Sequence, residues 1–308
     1  MKYREKMATL VRSHPKSELE SSAQSWQSVR RYWQRGARLV ILYLLAILVA
    51  VICLFPIAWM VKTSFETTEA MRSSQIQFWP LEPTLRNYIS VLTNPNAQVG
   101  RSTVNSIIVA IFSTILNVAI TTTAGYSLSR FEFRGKTAFG LYLLMVYMVP
   151  RTLMLIGMFM MLAALHLLNN WMGLILTYAA GGIPLSTWWL KGYFDSIPVE
   201  IEEEAMVDGC GRLGALWRVI MPLALPGVVT VGIFQFVESW NEFMMALTII
   251  QNAKLQLLPV QIVNFMGFQR VEWGPVMAFS VLVAIPAIIL FAIAQRGIVS
   301  GLMSGFTK

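Results

Sequence analysis

Long apolar runs, each close to the length of a bilayer crossing, alternate along this chain with shorter polar segments. A helix rises 1.5 Å per residue, so about 20 apolar residues cross a hydrocarbon core about 30 Å thick. Six runs meet that length, near residues 39–61, 104–128, 138–161, 170–190, 223–250 and 276–296. They predict an all-α integral membrane fold with six transmembrane helices. The first run has 23 residues and follows a 38-residue polar segment, and both are too long for a cleaved signal sequence. It is expected to remain as a helix. Residues 1–37 form an N-terminal extension whose polar, Ser-rich stretch through residue 28 is expected to be disordered.

Composition agrees with the pattern. Of the 308 residues, 56% are hydrophobic and 13% charged, against about 25% charged in soluble domains. The net charge of +8 does not point to nucleic acid, because the basic residues gather at the edges of the apolar runs. With six crossings, the segments on one side of the membrane carry 17 Lys and Arg and those on the other carry 6, Arg151 lying within a span. The positive-inside bias then places both termini in the cytoplasm. Arg30, Arg31, Arg35 and Arg38 suit contact with anionic lipid headgroups. Trp171 and Trp273 fall at one predicted edge, and Trp188 and Trp189 at the other.

Several chemistries are excluded. Cys53, Cys210, His14 and His166 are scattered and have neither metal-ligand nor disulfide spacing. Gly135-Lys136-Thr137 resembles the end of a phosphate loop, but Arg130 occupies the position that needs the first glycine. No H-E-x-x-H or G-x-S-x-G occurs. No catalytic residue, cofactor-binding residue or metal ligand is predicted in this chain.

The segment Ser196–Pro226 is too patterned for a plain connection. Pro198 suits a first helical turn, and Glu200, Glu202, Glu203 and Glu204 favour the positive end of a helix dipole. Gly209-Cys210-Gly211 suits a left-handed C-cap. A second short helix is expected next, with Leu213, Leu216, Trp217 and Ile220 on one face. Pro222 and Pro226 mark the start of the fifth span. Read by chemistry alone, this is two short helices meeting at a glycine corner, which also suits an amphipathic loop lying at the membrane surface.

The run Glu203-Glu204-Ala205-Met206-Val207-Asp208-Gly209, with Ile220 and Pro222 downstream, resembles the EAA loop of ABC importer permeases. Glu204 replaces the first alanine of that pattern, and Met221 separates Ile220 from Pro222. Further likeness to the carbohydrate branch lies in Pro83-Thr84-Leu85-Arg86-Asn87-Tyr88, Asn105-Ser106, Tyr126 with Arg130 to Gly135, Trp240-Asn241-Glu242-Phe243 and Gly301-Leu302-Met303-Ser304-Gly305. Residues 38–308 thus look like the smaller permease subunit of maltose-type importers.

That resemblance implies a type I importer permease fold with a cytoplasmic coupling loop at 196–222. It implies a second permease subunit, two copies of a cytoplasmic ATPase subunit that uses ATP and Mg, and an extracytoplasmic solute-binding protein. Alternating access would carry a mono- or oligosaccharide or related polyol, with outer segment 251–275 touching the binding protein. The coupling residues implied are Glu203, Glu204, Ala205, Asp208, Gly209, Leu213 and Trp217.

Gln235, Glu238, Asn241 and Glu242 recur at three- and four-residue spacing in the fifth span and are expected to share a face. A carboxylate near the midplane costs about 2.5–3.5 kcal/mol on insertion scales, so the stripe should avoid lipid. Arg151, after Pro150, lies at similar depth and is expected to pair with Glu238 or Glu242. With Asn117 of the second span, these residues are the candidate solute pathway; a buried polar network between helices is the competing reading. The midplane carboxylates also suit an ion-coupled secondary transporter, which ATP dependence would distinguish. Met158, Met160 and Met161 read as packing or lipid contact.

Overall fold

The computed structural model describes residues 16–72, 78–80, 82–266 and 271–305, and the side chains of 38–71, 78–80, 82–266 and 271–293. The described chain divides between Trp59 and Met60. Helix α1 (Lys16–Ser64) begins inside the stretch expected to be disordered. A helix nucleated by an apolar span extends backwards without a second nucleation cost, which accounts for the difference from residue 16 onward. Residues 1–15 lie outside the described residues.

From Met60 onward the architecture is helical. Two short helices, α2 (Thr68–Arg72) and α3 (Arg86–Thr93), precede α4 (Val99–Arg130). Next come α5 (Lys136–Met148), a 3-10 turn (Arg151–Met154) and α6 (Leu155–Ala164). Helix α7 (Trp171–Asp195) leads to α8 (Val199–Val207) and α9 (Arg212–Ala215). A π turn (Leu216–Ile220) then joins α10 (Met221–Asn241), followed by α11 (Met244–Ile249) and α12 (Trp273–Gly305).

All six expected spans fall on helices, with two corrections. The span near 138–161 is broken: α5 and α6 meet at an 86° bend beside Pro150. Proline removes a donor and clashes with the preceding turn, and here the break is complete. The span expected at 223–250 stops at Asn241 and resumes as α11 after a two-residue interruption. Among the described residues, four helices are long and apolar enough to cross a membrane alone, and the bent pair makes a fifth. Helix α7 has the length, 25 residues, but is rich in Gly, Thr, Trp and Tyr because its surroundings are mostly protein.

The centre is a crossing of α4, α7 and α10 with polar and small residues inside. Ser102, Asn105, Ser106, Ser113, Asn117 and Thr121 of α4 recur at three and four residues and are buried, while Ile111, Phe112 and Ile115 are exposed. Small residues let helices approach closely where burial against lipid offers little drive. At Gly182 of α7 the approach is closest: an added Cβ would lie 1.8 Å from Gln235 Oε1 and 2.9 Å from Asn117 Nδ2. Helices α4 and α7 run in the same direction, since Ser129 bonds Asp195 at one end (2.7 Å) while Asn105 and Trp171 both reach the 254–256 segment at the other.

Candidate functional site

Three polar assemblies lie along this helical core. The first is the segment from Ser196 to Ile220. Helix α8 closes as expected: Gly209 adopts φ +92°, its N–H donates to Met206 O (3.1 Å), and Cys210 N–H donates to Ala205 O (3.0 Å). These two bonds form the Schellman closure that satisfies the last carbonyls. Glu203, Glu204, Asp208 and Gly209 are exposed, and so are Val207 (87%) and Leu213 (71%). Ala205 is buried instead, turned toward the helical core.

The expected apolar face of the second short helix divides. Leu216 and Ile220 are buried with Tyr126, Phe194 and Val228, whereas Leu213 and Trp217 stay exposed. Trp217 borders an open groove of about 400 Å³ with Thr114, Val118, Thr122 and Gly232. Nor is this helix separate from the fifth span: Arg212–Asn241 is one helical path. The π turn at Leu216–Ile220 absorbs Pro222, whose missing N–H would otherwise break the ladder.

Glu202 is the functional candidate that sequence reasoning passed over, counting it only as a dipole charge. It is buried against the end of α4. Its Oε2 lies 3.0 Å from Arg130 Nε, with side-chain exposures of 6% and 7%. Tyr126 O–H donates to Glu202 Oε1, and Arg130 Nη2 donates to Ile197 O (2.9 Å). The only sequence signal was the coincidence of Tyr126, Arg130 and a carboxylate-rich helix.

The second assembly is the α4–α7–α10 crossing. Asn117 Nδ2 donates to Ala179 O (2.9 Å), and Gln235 Nε2 donates to Tyr178 O (3.1 Å) and Ser239 Oγ (3.0 Å). Ser113 Oγ bonds Ser239 Oγ at 3.0 Å. Asn117 and Gln235 are buried, so their geometry is that of a network fastening helices.

The third is half open. Arg151 Nη1 lies 3.2 Å from Glu238 Oε2, with exposures of 42% and 57%. Arg151 Nη2 also reaches Gly181 O at 3.4 Å, across a glycine that presents no side chain. Asn241 is exposed one turn further along α10, its amide donating to Val237 O (3.0 Å). Glu242 is not the partner of Arg151. It accepts from Tyr178 O–H (2.9 Å), Met245 N–H (2.9 Å) and Ala246 N–H (3.1 Å), capping the start of α11. The expected single polar stripe is therefore two edges: Gln235 and Glu242 turn toward α7, and Glu238 and Asn241 turn outward. The cause is helical geometry, because four positions at three- and four-residue steps still span about a third of the circumference.

At the opposite end of α4, Asn105 Nδ2 donates to Lys254 O (3.1 Å) and Gln256 O (3.0 Å), and Ser106 Oγ accepts from Leu258 N–H (2.7 Å). Asn169, at φ +53°, accepts through Oδ1 from Gln251 N–H (2.7 Å) and Asn252 N–H (2.9 Å). The segment after α11 is thereby strapped to the bundle. The side chains of Gly301 to Gly305 lie outside the described ones. Among the described residues, no group of three or more His, Cys, Asp or Glu could hold a metal.

Residues 117–303 match the family described as binding-protein-dependent transport system inner membrane component. The chain is 37% identical over 255 residues to the sulfoquinovosyl glycerol transport system permease protein of Agrobacterium fabrum, covering 83% of this chain and 89% of that relative. It is 35% identical over 270 residues to the trehalose/maltose transport system permease protein of Thermococcus litoralis, covering 87% and 96%. A chain in the crystal structure of a bacterial ABC transporter for import of the acidic polysaccharide alginate shares the fold, with a TM-score of 0.71 at 23% identity over 83% of this chain and 95% of that one.

Proposed function

We infer how this chain works from one premise: it belongs to the family of binding-protein-dependent transport system inner membrane components. It is a multi-pass inner-membrane permease of an ABC importer, and its own solute is a carbohydrate or polyol. The carbohydrate class is supported by the solutes for which its relatives are named, sulfoquinovosyl glycerol and trehalose/maltose among them.

The observation that carries the pathway is the open Arg151–Glu238 pair. Two half-exposed charges in membrane-crossing segments cannot face hydrocarbon, so they border a hydrated space. With Asn241, they present donors and acceptors to hydroxyl groups, and charge compensation leaves no strong bias for an ion. Asn117, Gln235 and Glu242 hold the wall in place rather than touch solute. The ion-coupled carrier lacks support, since Glu238 is paired and Glu242 is engaged by three donors.

The chain itself is non-catalytic in this reading. Two ATPase subunits in the cytoplasm bind ATP and Mg, and the outward-facing Glu203, Glu204, Val207, Asp208 and Leu213 dock on them. Both termini are cytoplasmic. A second permease subunit completes the pathway, and a solute-binding protein delivers cargo to the strapped end around residues 250–258. Rocking of the docked segment opens the pathway alternately to either side.

Reconstitution of the four-component complex in liposomes tests the whole reading. Uptake of radiolabelled mono- and disaccharides should require binding protein and internal ATP and should survive a protonophore. Uptake driven by an ion gradient without ATP overturns it.

A further inference from the structure

Helix α8 has two faces with different tasks. Glu200, Glu203 and Glu204 point outward, while Glu202 alone of the four carboxylates is buried. Covalent continuity ties the 196–220 segment to α7 before it and α10 after it. It gives no tie to α4, which lies far upstream in sequence. Motion of the segment can reach α4 indirectly, through the α7 and α10 helices packed along it, or directly, through the sealed contact among Glu202, Arg130 and Tyr126.

We propose that Glu202, paired with Arg130 and held by Tyr126, is a positioning residue that makes α4 move with the ATPase-facing segment. This rests on the importer reading above. The geometry suits transmission. Arg130 spans two parts of the segment, pairing with Glu202 and donating to Ile197 O, so it resists both sliding and rotation. Tyr126 fixes the second carboxylate oxygen and is itself wedged edge-on between Phe131 and Phe194, with ring centroids 6.0 and 5.9 Å away. Arg212 lies 5.0 Å over the Phe131 ring, so the start of α9 grips the same corner. An ion pair shielded from water is stiff, because neither partner can exchange its contact for solvent at little cost. Without the link, α4 would follow the segment only through its packing on α7 and α10, and ATP would be hydrolysed with less solute moved.

The experiment measures solute transported per ATP hydrolysed in the reconstituted complex. E202Q keeps size and one acceptor, and Y126F removes only a hydroxyl. The expected result is assembled complexes that still hydrolyse ATP, with the ratio reduced at least about fivefold in E202Q and less in Y126F. The double exchange E202R/R130E should recover a large part of the ratio that R130E alone loses. An unchanged ratio in E202Q overturns the proposal, as does a loss of transport that only tracks loss of assembled complex. The unmodified complex separates the two readings: if it fails to import with ATP, the importer function falls; if it imports and E202Q matches it, only the link falls.

Discussion

Two carboxylate–guanidinium pairs in this chain have nearly the same contact distance and opposite surroundings. Glu202–Arg130 closes at 3.0 Å with both side chains almost wholly buried, and Arg151–Glu238 closes at 3.2 Å with about half of each exposed. In the sealed pair each charge depends on its partner, because removal strands the other in a medium of low polarity. In the open pair water can replace either partner, so the attraction contributes little to stability. Similar chemistry therefore has two uses here. The sealed pair fastens the 196–220 segment to α4, and the open pair is where we propose that a polar solute meets the wall of the bundle.

The sharpest way to break this contrast is to reverse one charge in each pair. R130E forces two buried carboxylates together and should destabilise the fold by about 3–5 kcal/mol. R151E sets two half-exposed carboxylates side by side and should cost about 1 kcal/mol or less. Thermal unfolding of the detergent-purified variants, followed by size-exclusion elution, compares them directly. Equal losses of stability would mean that the Arg151 pair is as sealed as the other and borders no hydrated space.

A smaller effect is expected at the crossing that holds both pairs in register. Gly182 admits Gln235 and Asn117 so closely that an alanine Cβ needs both amides to move. G182A should lower stability by about 1–3 kcal/mol, as overpacking of a tight core does. The variant G157A, where an added Cβ meets nothing within 4 Å, serves as the control. If both variants melt alike, the crossing has more slack than the geometry gives it.

Much of this arrangement was legible from the chain alone, and the reasons are physical. Apolar run length reported the spans, and Gly209 reported the positive-φ closure of α8. Opposite charge at equal depth brought Arg151 to the α10 carboxylates, and the structure selects Glu238. What escaped depended on neighbours. Four carboxylates within five residues look alike in sequence, and only the position of α4 decides that Glu202 turns inward. Asn117 and Gln235 read in sequence only as polar positions at mid-depth, and the carbonyls of Ala179 and Tyr178 that their amides meet on α7 are visible only in the fold. Glu242 looked like a second pathway charge because the start of α11, which it caps, lies inside what reads as one continuous span. Spacing places a residue on a helix, but the partner across the contact determines what that residue does.

The mildest perturbation sharpens the comparison most finely, because it asks only which side chains solvent can reach. In a chain with Cys53 and Cys210 changed to Ser, single cysteines are placed at Glu238, Asn241, Asn117 and Gln235, and only variants that elute as the assembled complex are compared. A charged, membrane-impermeant thiol reagent should modify E238C and N241C readily in the assembled complex. Modification of N117C and Q235C should be slower by about tenfold or more, since it awaits local opening of the crossing. Saccharide delivered by the binding protein with ATP should slow labelling at 238 and 241 and leave 117 and 235 as they were. Protection confined to 117 and 235 would move the pathway into the α4–α7–α10 crossing. Labelling of none of the four would place the open pair against another subunit instead of a hydrated path.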